Sequence, residues 1–304
     1  MILPGVGTKV AVVTGANKGI GYCTALQLAL SGVFRHVILG CRDLTLGQEA
    51  VASMTPIVPP QVGISVLPLT IGDPQSHSRF VEELEDLLYY ETSTLPAEDL
   101  VGSIDDNVKV DVLVNNAAIA FKGSDPTPFL QQTKPTLDVN FRGTVDFTEE
   151  MLPLLRKAGR HPDNDITGAR IVNVASMAGG LDQLDPHWQD LFTDPALTFP
   201  QLYDLVNQFE TDVQAGVHLQ NGWSNSNYGL SKLAVVAATK LWAREEASNN
   251  IRVNCVCPGY CATDMSSGRG TQSPEEGARN VVLPALMEDA PTGEFFANLQ
   301  IREW

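Results

Sequence analysis

No run of about 18 consecutive apolar residues occurs in the 304-residue sequence, so no segment reads as a transmembrane helix. The first residues, Met1-Ile-Leu-Pro-Gly-Val-Gly-Thr-Lys9, lack the basic stretch and apolar core of a secretory signal. The ending Ile301-Arg-Glu-Trp304 resembles neither a retention nor a peroxisomal tripeptide, which leaves a soluble, cytoplasmic protein as the expectation. Positive charge is scarce: 20 Lys and Arg against 36 Asp and Glu give a formal net charge of −16. Nucleic-acid affinity rests on clustered cations that neutralise phosphates, so this balance argues against a nucleic-acid partner. Cysteine is sparse as well. Cys23, Cys41, Cys255, Cys257 and Cys261 are an odd set without disulfide-framework spacing, as in a reducing compartment. The last three invite a metal reading, but Cys255 and Cys257 alternate along a strand-like run and no His lies nearby, so no metal site is expected. A partly exposed, reactive thiol at that strand end is the stronger expectation.

Hydrophobic residues make up 43% of the chain, ample for a buried core. Apolar β-branched runs alternate with longer helical patterns, the sequence form of a parallel sheet covered on both faces. The fold class is therefore α/β, a single-domain doubly wound parallel sheet of about seven strands. Six core strands are placed at Lys9 to Thr14, Arg35 to Cys41, Ile64 to Ile71, Val108 to Asn115, Arg170 to Ala175 and Ile251 to Cys257, with Glu294 to Ala297 a seventh. Helices start near Gly19, Thr45, Pro74, Pro135 and Tyr228. Three stretches interrupt the alternation, about 92 to 107, about 158 to 168, and Gly179 to Asn227. The third carries Trp188, Phe192, Phe199, Leu202, Tyr203, Leu205, Val206 and Phe209, too many large apolar groups for a solvated linker. It reads as a helical insertion, either a packing elaboration or a cover for the ligand cleft.

In Val10-Ala-Val-Val-Thr-Gly-Ala-Asn-Lys-Gly-Ile-Gly21 an apolar strand runs through a glycine turn into a helix. Gly15 permits the turn, Gly19 lets backbone approach a pyrophosphate, and Gly21 allows helix to pack closely on strand. The spacing G-x-x-x-G-x-G departs from the usual dinucleotide fingerprint. A ribose 2′-phosphate calls for cationic donors, and Lys18 in the loop with Arg42 after the second strand supplies them, which points to NADP(H). Asp43 competes, since a carboxylate there could accept from ribose hydroxyls and favour NAD. Far downstream, Tyr228-Gly-Leu-Ser-Lys232 places a phenol and an ammonium at i and i+4, on one helical face. The positive charge is expected to lower the tyrosine pKa and make it a usable proton donor.

The glycine run, Val114-Asn-Asn-Ala-Ala118, Asn140, Ser176 and Tyr228-x-x-x-Lys232 occur in one order, and with them the chain resembles a short-chain dehydrogenase/reductase. More narrowly it is similar to the animal NADPH-dependent carbonyl reductases, nearly end to end, through Ala120-Phe-Lys, Asp125-Pro-Thr-Pro-Phe129, Gly222-Trp223, Cys257-Pro-Gly-Tyr260, Thr263-Asp-Met265 and Ser273-Pro-Glu-Glu-Gly-Ala278. The long gap between Ser176 and Tyr228 marks that type. The resemblance implies Tyr228 as general acid, Ser176 as hydrogen-bond partner of the substrate oxygen, Lys232 on the nicotinamide ribose, and Asn140 holding a relay water. It assigns NADPH or NADP+ the contacts Gly15, Asn17, Lys18, Gly19, Ile20, Gly21, Arg42, Thr70, Ile71, Asn115, Asn116, Ala117, Tyr228, Lys232, Cys261, Ala262 and Thr263. Substrate would meet Ser176, Met177, Trp223, Tyr260, Met265 and Gln132, a lining suited to flat or apolar carbonyl compounds.

Thr70 stands where an aspartate usually meets adenine, Ala118 where glycine is usual, Ala175 where a second serine is common, and Tyr260 in place of tryptophan. The expected function is NADPH-dependent reduction of aldehydes, ketones or quinones by a monomer with no membrane partner. The alternatives are a non-catalytic NADP(H) sensor and a reductase dedicated to one steroid-like or acyl substrate.

Overall fold

The computed structural model describes residues 8–95, 100, 102–162 and 168–304. Among them an eight-stranded sheet runs in the order β3-β2-β1-β4-β5-β6-β7-β8. Its strands are β1 (Lys9–Thr14), β2 (Phe34–Cys41), β3 (Gly63–Pro68), β4 (Val112–Asn115), β5 (Ala169–Val174), β6 (Ile251–Cys257), β7 (Phe295–Ala297) and β8 (Gln300–Arg302). All neighbours pair in parallel except β7 and β8. The chain works outward from β1 to β3, then returns to lay β4 on the other side of β1. That reversal opens a crevice at the carboxyl ends of β1 and β4, where ligands bind in such sheets.

Period-two alternation sorts side chains to the two faces. Val10 and Val12 belong to one apolar cluster, Ala11 and Val13 to the other. One face is covered by α1 (Gly19–Leu30), α2 (Leu44–Met54) and α10 (Pro274–Leu286). The other is covered by α3 (Pro74–Ser93), α6 (Gly143–Arg160) and α9 (Asn227–Glu245). A short α4 (Ile104–Asn107) precedes β4. The insertion is helical, as expected, with α7 (Pro186–Thr193) and α8 (Phe199–Gln214). Phe192, Leu202, Val206, Phe209 and Trp223 join the core beneath α9 rather than forming one of their own. The parts of the interruptions at 96–99, 101 and 163–167 lie outside the described residues.

Several boundaries differ from expectation. β4 begins at Val112, not Val108, because Lys109 and Asp111 are buried as an ion pair of 2.9 Å and the second Asp111 oxygen accepts from Val10 N at 2.8 Å. The helix expected near Pro135 is α5 (Phe129–Leu137), which holds that proline in its interior. A π-helical turn, Asp138–Arg142, joins it to α6. The eighth strand was not anticipated: β8 is three exposed residues on the sheet edge, with no apolar alternation to mark it. α10 carries a readable start, since Ser273 and Glu276 form a capping box. Among the described residues, no helix is long and apolar enough to cross a membrane.

Candidate active site

The crevice is floored by side-chain-to-backbone hydrogen bonds between the ends of β1 and β4. Thr14 Oγ1 accepts from Asn116 N at 3.0 Å and Ala117 N at 2.9 Å, while Asn116 Nδ2 donates to Thr14 O at 2.8 Å and Gly15 O at 3.2 Å. Gly15 turns the chain at φ 64°, and a Cβ on Gly21 would stand 2.4 Å from both Gly15 O and Asn116 Nδ2. Only glycine lets α1 approach β1 and β4 so closely. Lys18 caps α1 without a side-chain hydrogen bond, and no acidic residue lies in its first turn. Its leading N–H groups therefore present an anion site to the crevice. Arg42 borders the same space at the end of β2. Asp43, the competing carboxylate, caps α2 by accepting from Leu46 N at 3.1 Å. The glycine cradle and the cationic Arg42 fit a dinucleotide with a 2′-phosphate.

The cleft encloses about 760 Å³ and runs from this cradle to Tyr228. Gly15, Asn17, Lys18, Gly19, Ile20 and Gly21 line it, as do Arg42, Thr70, Ile71, Asn116 and Ala117. The loop after β6 supplies Tyr260, Cys261, Ala262, Thr263 and Met265 on the opposite wall, and Ser176 and Lys232 complete it. Lys18 does not reach into open space: its ammonium pairs with Asp264 at 2.7 Å, bridging the glycine loop to that wall.

Tyr228 and Lys232 project from the first two turns of α9, whose start is fixed by Ser226 Oγ accepting from Gly229 N at 2.9 Å. Lys232 Nζ lies 5.7 Å from the Tyr228 ring centre and donates to Val174 O at 2.6 Å. Burial lowers its pKa to about 8. Burial pushes Tyr228 up to about 12, assisted by the Cys257 sulfur and opposed by a hydrogen bond from Ser176. The tyrosine pKa thus moves opposite to the expectation from charge alone. Desolvation of the phenol is the largest influence, and the ammonium sits over the ring and bonds a carbonyl instead of the phenolic oxygen. The phenol remains protonated through neutral pH, the form a general acid requires.

Asn140 occupies the π-helical turn, 1% exposed. Its side chain accepts from Ile119 N at 2.8 Å and donates to Ile119 O at 2.9 Å and Ser231 Oγ at 3.0 Å, tying the strand-end loop to α9. Such π turns interrupt helices preferentially at functional sites.

Four assigned residues lie elsewhere. Asn115 points into the core, where its amide donates to Thr148 Oγ1 at 2.9 Å and Asn173 Oδ1 at 2.8 Å; β4 alternation sends it away from its neighbour Asn116. Trp223 is 3% exposed, stacks on Trp188 at 3.7 Å and donates to Asp212 at 2.8 Å, because the insertion folds its aromatics inward. Gln132 on α5 bonds Thr127 O at 2.6 Å, and Met177 is exposed beyond the cleft wall. Residues that sequence reasoning did not assign to the site include Val174, whose carbonyl holds Lys232, Ile119, whose backbone holds Asn140, and Asp264. Backbone partners leave no side-chain signal; Asp264, in Thr263-Asp-Met265, does. The reactive thiol is not supported either. All five cysteines are buried, and burial raises Cys23 and Cys41 to about 11, Cys255 to about 12, and Cys261 above its ordinary value. Among the described residues no His, Cys, Asp and Glu cluster could hold a metal ion.

A doubly wound sheet with a glycine cradle at its switch point and a Tyr–Lys–Ser group in the cleft beside it defines a dinucleotide-dependent oxidoreductase. Two family profiles match the chain, "short chain dehydrogenase" over residues 92–185 and "Enoyl-(Acyl carrier protein) reductase" over residues 214–298. Carbonyl reductase [NADPH] 1 of Homo sapiens is 36% identical over 311 residues, spanning 98% of this chain and 99% of its own. The Rattus norvegicus protein of that name is 36% identical over 305 residues, with 97% and 98% covered. The chain belongs to the short-chain dehydrogenase/reductase family. In structure it is similar to salutaridine reductase from Papaver somniferum, with TM-score 0.76, 28% identity and coverage of 95% and 99%. The NADPH-bound carbonyl reductase from chicken fatty liver, at TM-score 0.67 and 22% identity over 99% and 96%, shares the fold.

Proposed function

We propose that the chain reduces aldehydes, ketones or quinones with NADPH. The reading rests on one observation above all: Tyr228, Ser176 and Lys232 line the same cleft as the glycine cradle, with Lys232 Nζ 5.7 Å from the Tyr228 ring centre. When bound, NADPH supplies the hydride that reaches the carbonyl carbon. Arg42 and Lys18 would hold its 2′-phosphate, the first turn of α1 its pyrophosphate, and Asn116, Ala117 and the Cys261 to Thr263 wall its ribose and carboxamide. Tyr228 gives its phenolic proton to the carbonyl oxygen, and the Ser176 hydroxyl donates a hydrogen bond to the same oxygen as charge builds there. Lys232 stands next to the resulting phenolate, and Asn140 with Ser231 orders the path by which a proton returns. Tyr260 and Met265 offer the carbonyl compound an aromatic and a polarizable surface.

The cytosol and a monomeric state belong to the same reading. Five free cysteines suit a reducing compartment, and the insertion packs over the α5 and α9 surface. Sedimentation at micromolar concentration tests the monomer. For the chemistry, Tyr228→Phe should lower turnover of NADPH with a quinone by about a thousandfold while NADPH still quenches protein fluorescence. Normal turnover by the variant would refute the mechanism.

A further inference from the structure

Ser176 is useful only if its hydroxyl stands beside the Tyr228 phenol, where both can meet one carbonyl oxygen, and the turn that carries it is short. Ser176 caps a single 3₁₀ turn, Met177–Gly179, by accepting from Ala178 N at 3.1 Å. The turn is pressed against α9 at the level of Lys232: a Cβ on Gly179 would stand 2.7 Å from Lys232 C and Leu233 N. The Gly179 carbonyl is taken by the indole N–H of Trp304 at 2.8 Å. Trp304 follows β8 and packs against the apolar cluster that contains Ala175, Val235, Cys257 and Phe295, a cluster that joins the residue before Ser176 to α9 and the sheet edge. Lys240, two turns beyond Lys232 on α9, lies 5.8 Å from the centre of the Trp304 ring and donates to Gly293 O at 3.2 Å.

We infer that Trp304 is a positioning residue of the active site, holding the Ser176–Gly179 turn against α9 so that the Ser176 hydroxyl reaches the Tyr228 oxygen. The inference rests on the carbonyl-reductase reading above. It is an effect at a distance, since Trp304 is not among the residues that line the cleft. The edge hairpin of β7 and β8 thereby gains a purpose: it delivers an indole to the far side of the turn. A relaxed turn leaves NADPH contacts in place and loosens one hydrogen bond at the reacting oxygen.

The test compares wild type, Trp304→Phe and Tyr228→Phe in NADPH oxidation with a quinone. Trp304→Phe keeps an aromatic ring under Lys240 and removes the N–H. Its kcat should fall about tenfold with KM for NADPH within twofold, the size of one lost hydrogen bond made at the transition state. The alkaline limb of its kcat profile should move to higher pH, because the Ser176 hydrogen bond that holds the Tyr228 pKa down is weakened. Wild-type kcat with an unmoved profile would overturn the inference. So would a parallel loss of NADPH affinity and kcat, which marks a residue that only supports the fold. If Trp304→Phe fails to accumulate folded, Lys240→Gln loosens the indole from its other side and should reproduce the kcat loss and pH displacement in weaker form; no change in either overturns the inference. An inactive Tyr228→Phe beside a normal Trp304→Phe sinks this inference alone, whereas an active Tyr228→Phe sinks the functional reading and this inference with it.

Discussion

Replacing Lys232 by methionine removes a buried ammonium and keeps a chain of similar length. In the folded protein burial lowers the Lys232 pKa from 10.5 to about 8. Between those two values the unfolded chain binds more protons than the folded one, so stability should rise with pH across that window and the full cost of burying the charge is present below it. That cost is about 3 kcal/mol, and between pH values of about 7.5 and 9.5 about 2 kcal/mol of it should be relieved. The bond from Nζ to Val174 O is also lost in Lys232→Met, leaving a buried carbonyl without that donor. This second effect offsets the stability at neutral pH but does not depend on pH. Tyr228 titrates in both chains and cancels in the difference, since none of the causes of its displacement is Lys232. The assay is urea unfolding of wild type and Lys232→Met, without NADPH, at several pH values over that range. The stability of wild type minus that of the variant should climb by about 2 kcal/mol. A flat difference would show that Lys232 keeps an ordinary pKa in the folded chain. That result would remove the argument that desolvation governs the electrostatics of this site.

Trp223→Phe deletes one of three donors to the Asp212 carboxylate, the others being Asn221 and Gln208 at 2.8 Å each. Stability should fall by about 1–3 kcal/mol in denaturant while kcat for a quinone stays within twofold, and a large kcat loss at unchanged stability would return Trp223 to the cleft. Asp264→Asn frees Lys18 from its exposed partner and should lower KM for NADPH by about two- to fivefold at low salt, less at high salt. A raised KM would instead mean that Asp264 helps to hold the cofactor wall.

The parts of the site that local spacing controls were legible. The glycine turn follows from a strand running into a helix, and the Gly21 contact at 2.4 Å bears out its assigned role in packing. Tyr228 and Lys232 share a face because the segment is helical, the condition under which their i, i+4 spacing brings them together. The insertion was readable as helical because its aromatics had to be buried. That same fact took Trp223 out of the cleft: a residue rich enough in apolar area to suggest a substrate wall was equally rich in reasons to join the core. Asn115 was lost to a different effect. It belongs to a polar ladder in which Asn173 accepts from it and donates to Thr239 Oγ1 at 2.9 Å, and only strand pairing between β4 and β5 reveals that partnership.

The Tyr228 pKa is the deepest of these differences, because the sequence argument had the correct residues and the wrong dominant force. A cation four residues away lowers a phenol in water-like surroundings, but burial of both groups raises the phenol and lowers the ammonium. The pair therefore begins as a protonated acid beside a readily deprotonated amine. A phenolate formed at Tyr228 by giving its proton to substrate would create the negative charge that Lys232 lacks in the folded chain, and the two pKa values would then move back toward each other as charge appears between them. The electrostatic contact between Tyr228 and Lys232 is thus weak before the reaction and strong at the point where charge develops, which is the condition for an interaction to accelerate a step instead of merely tightening binding.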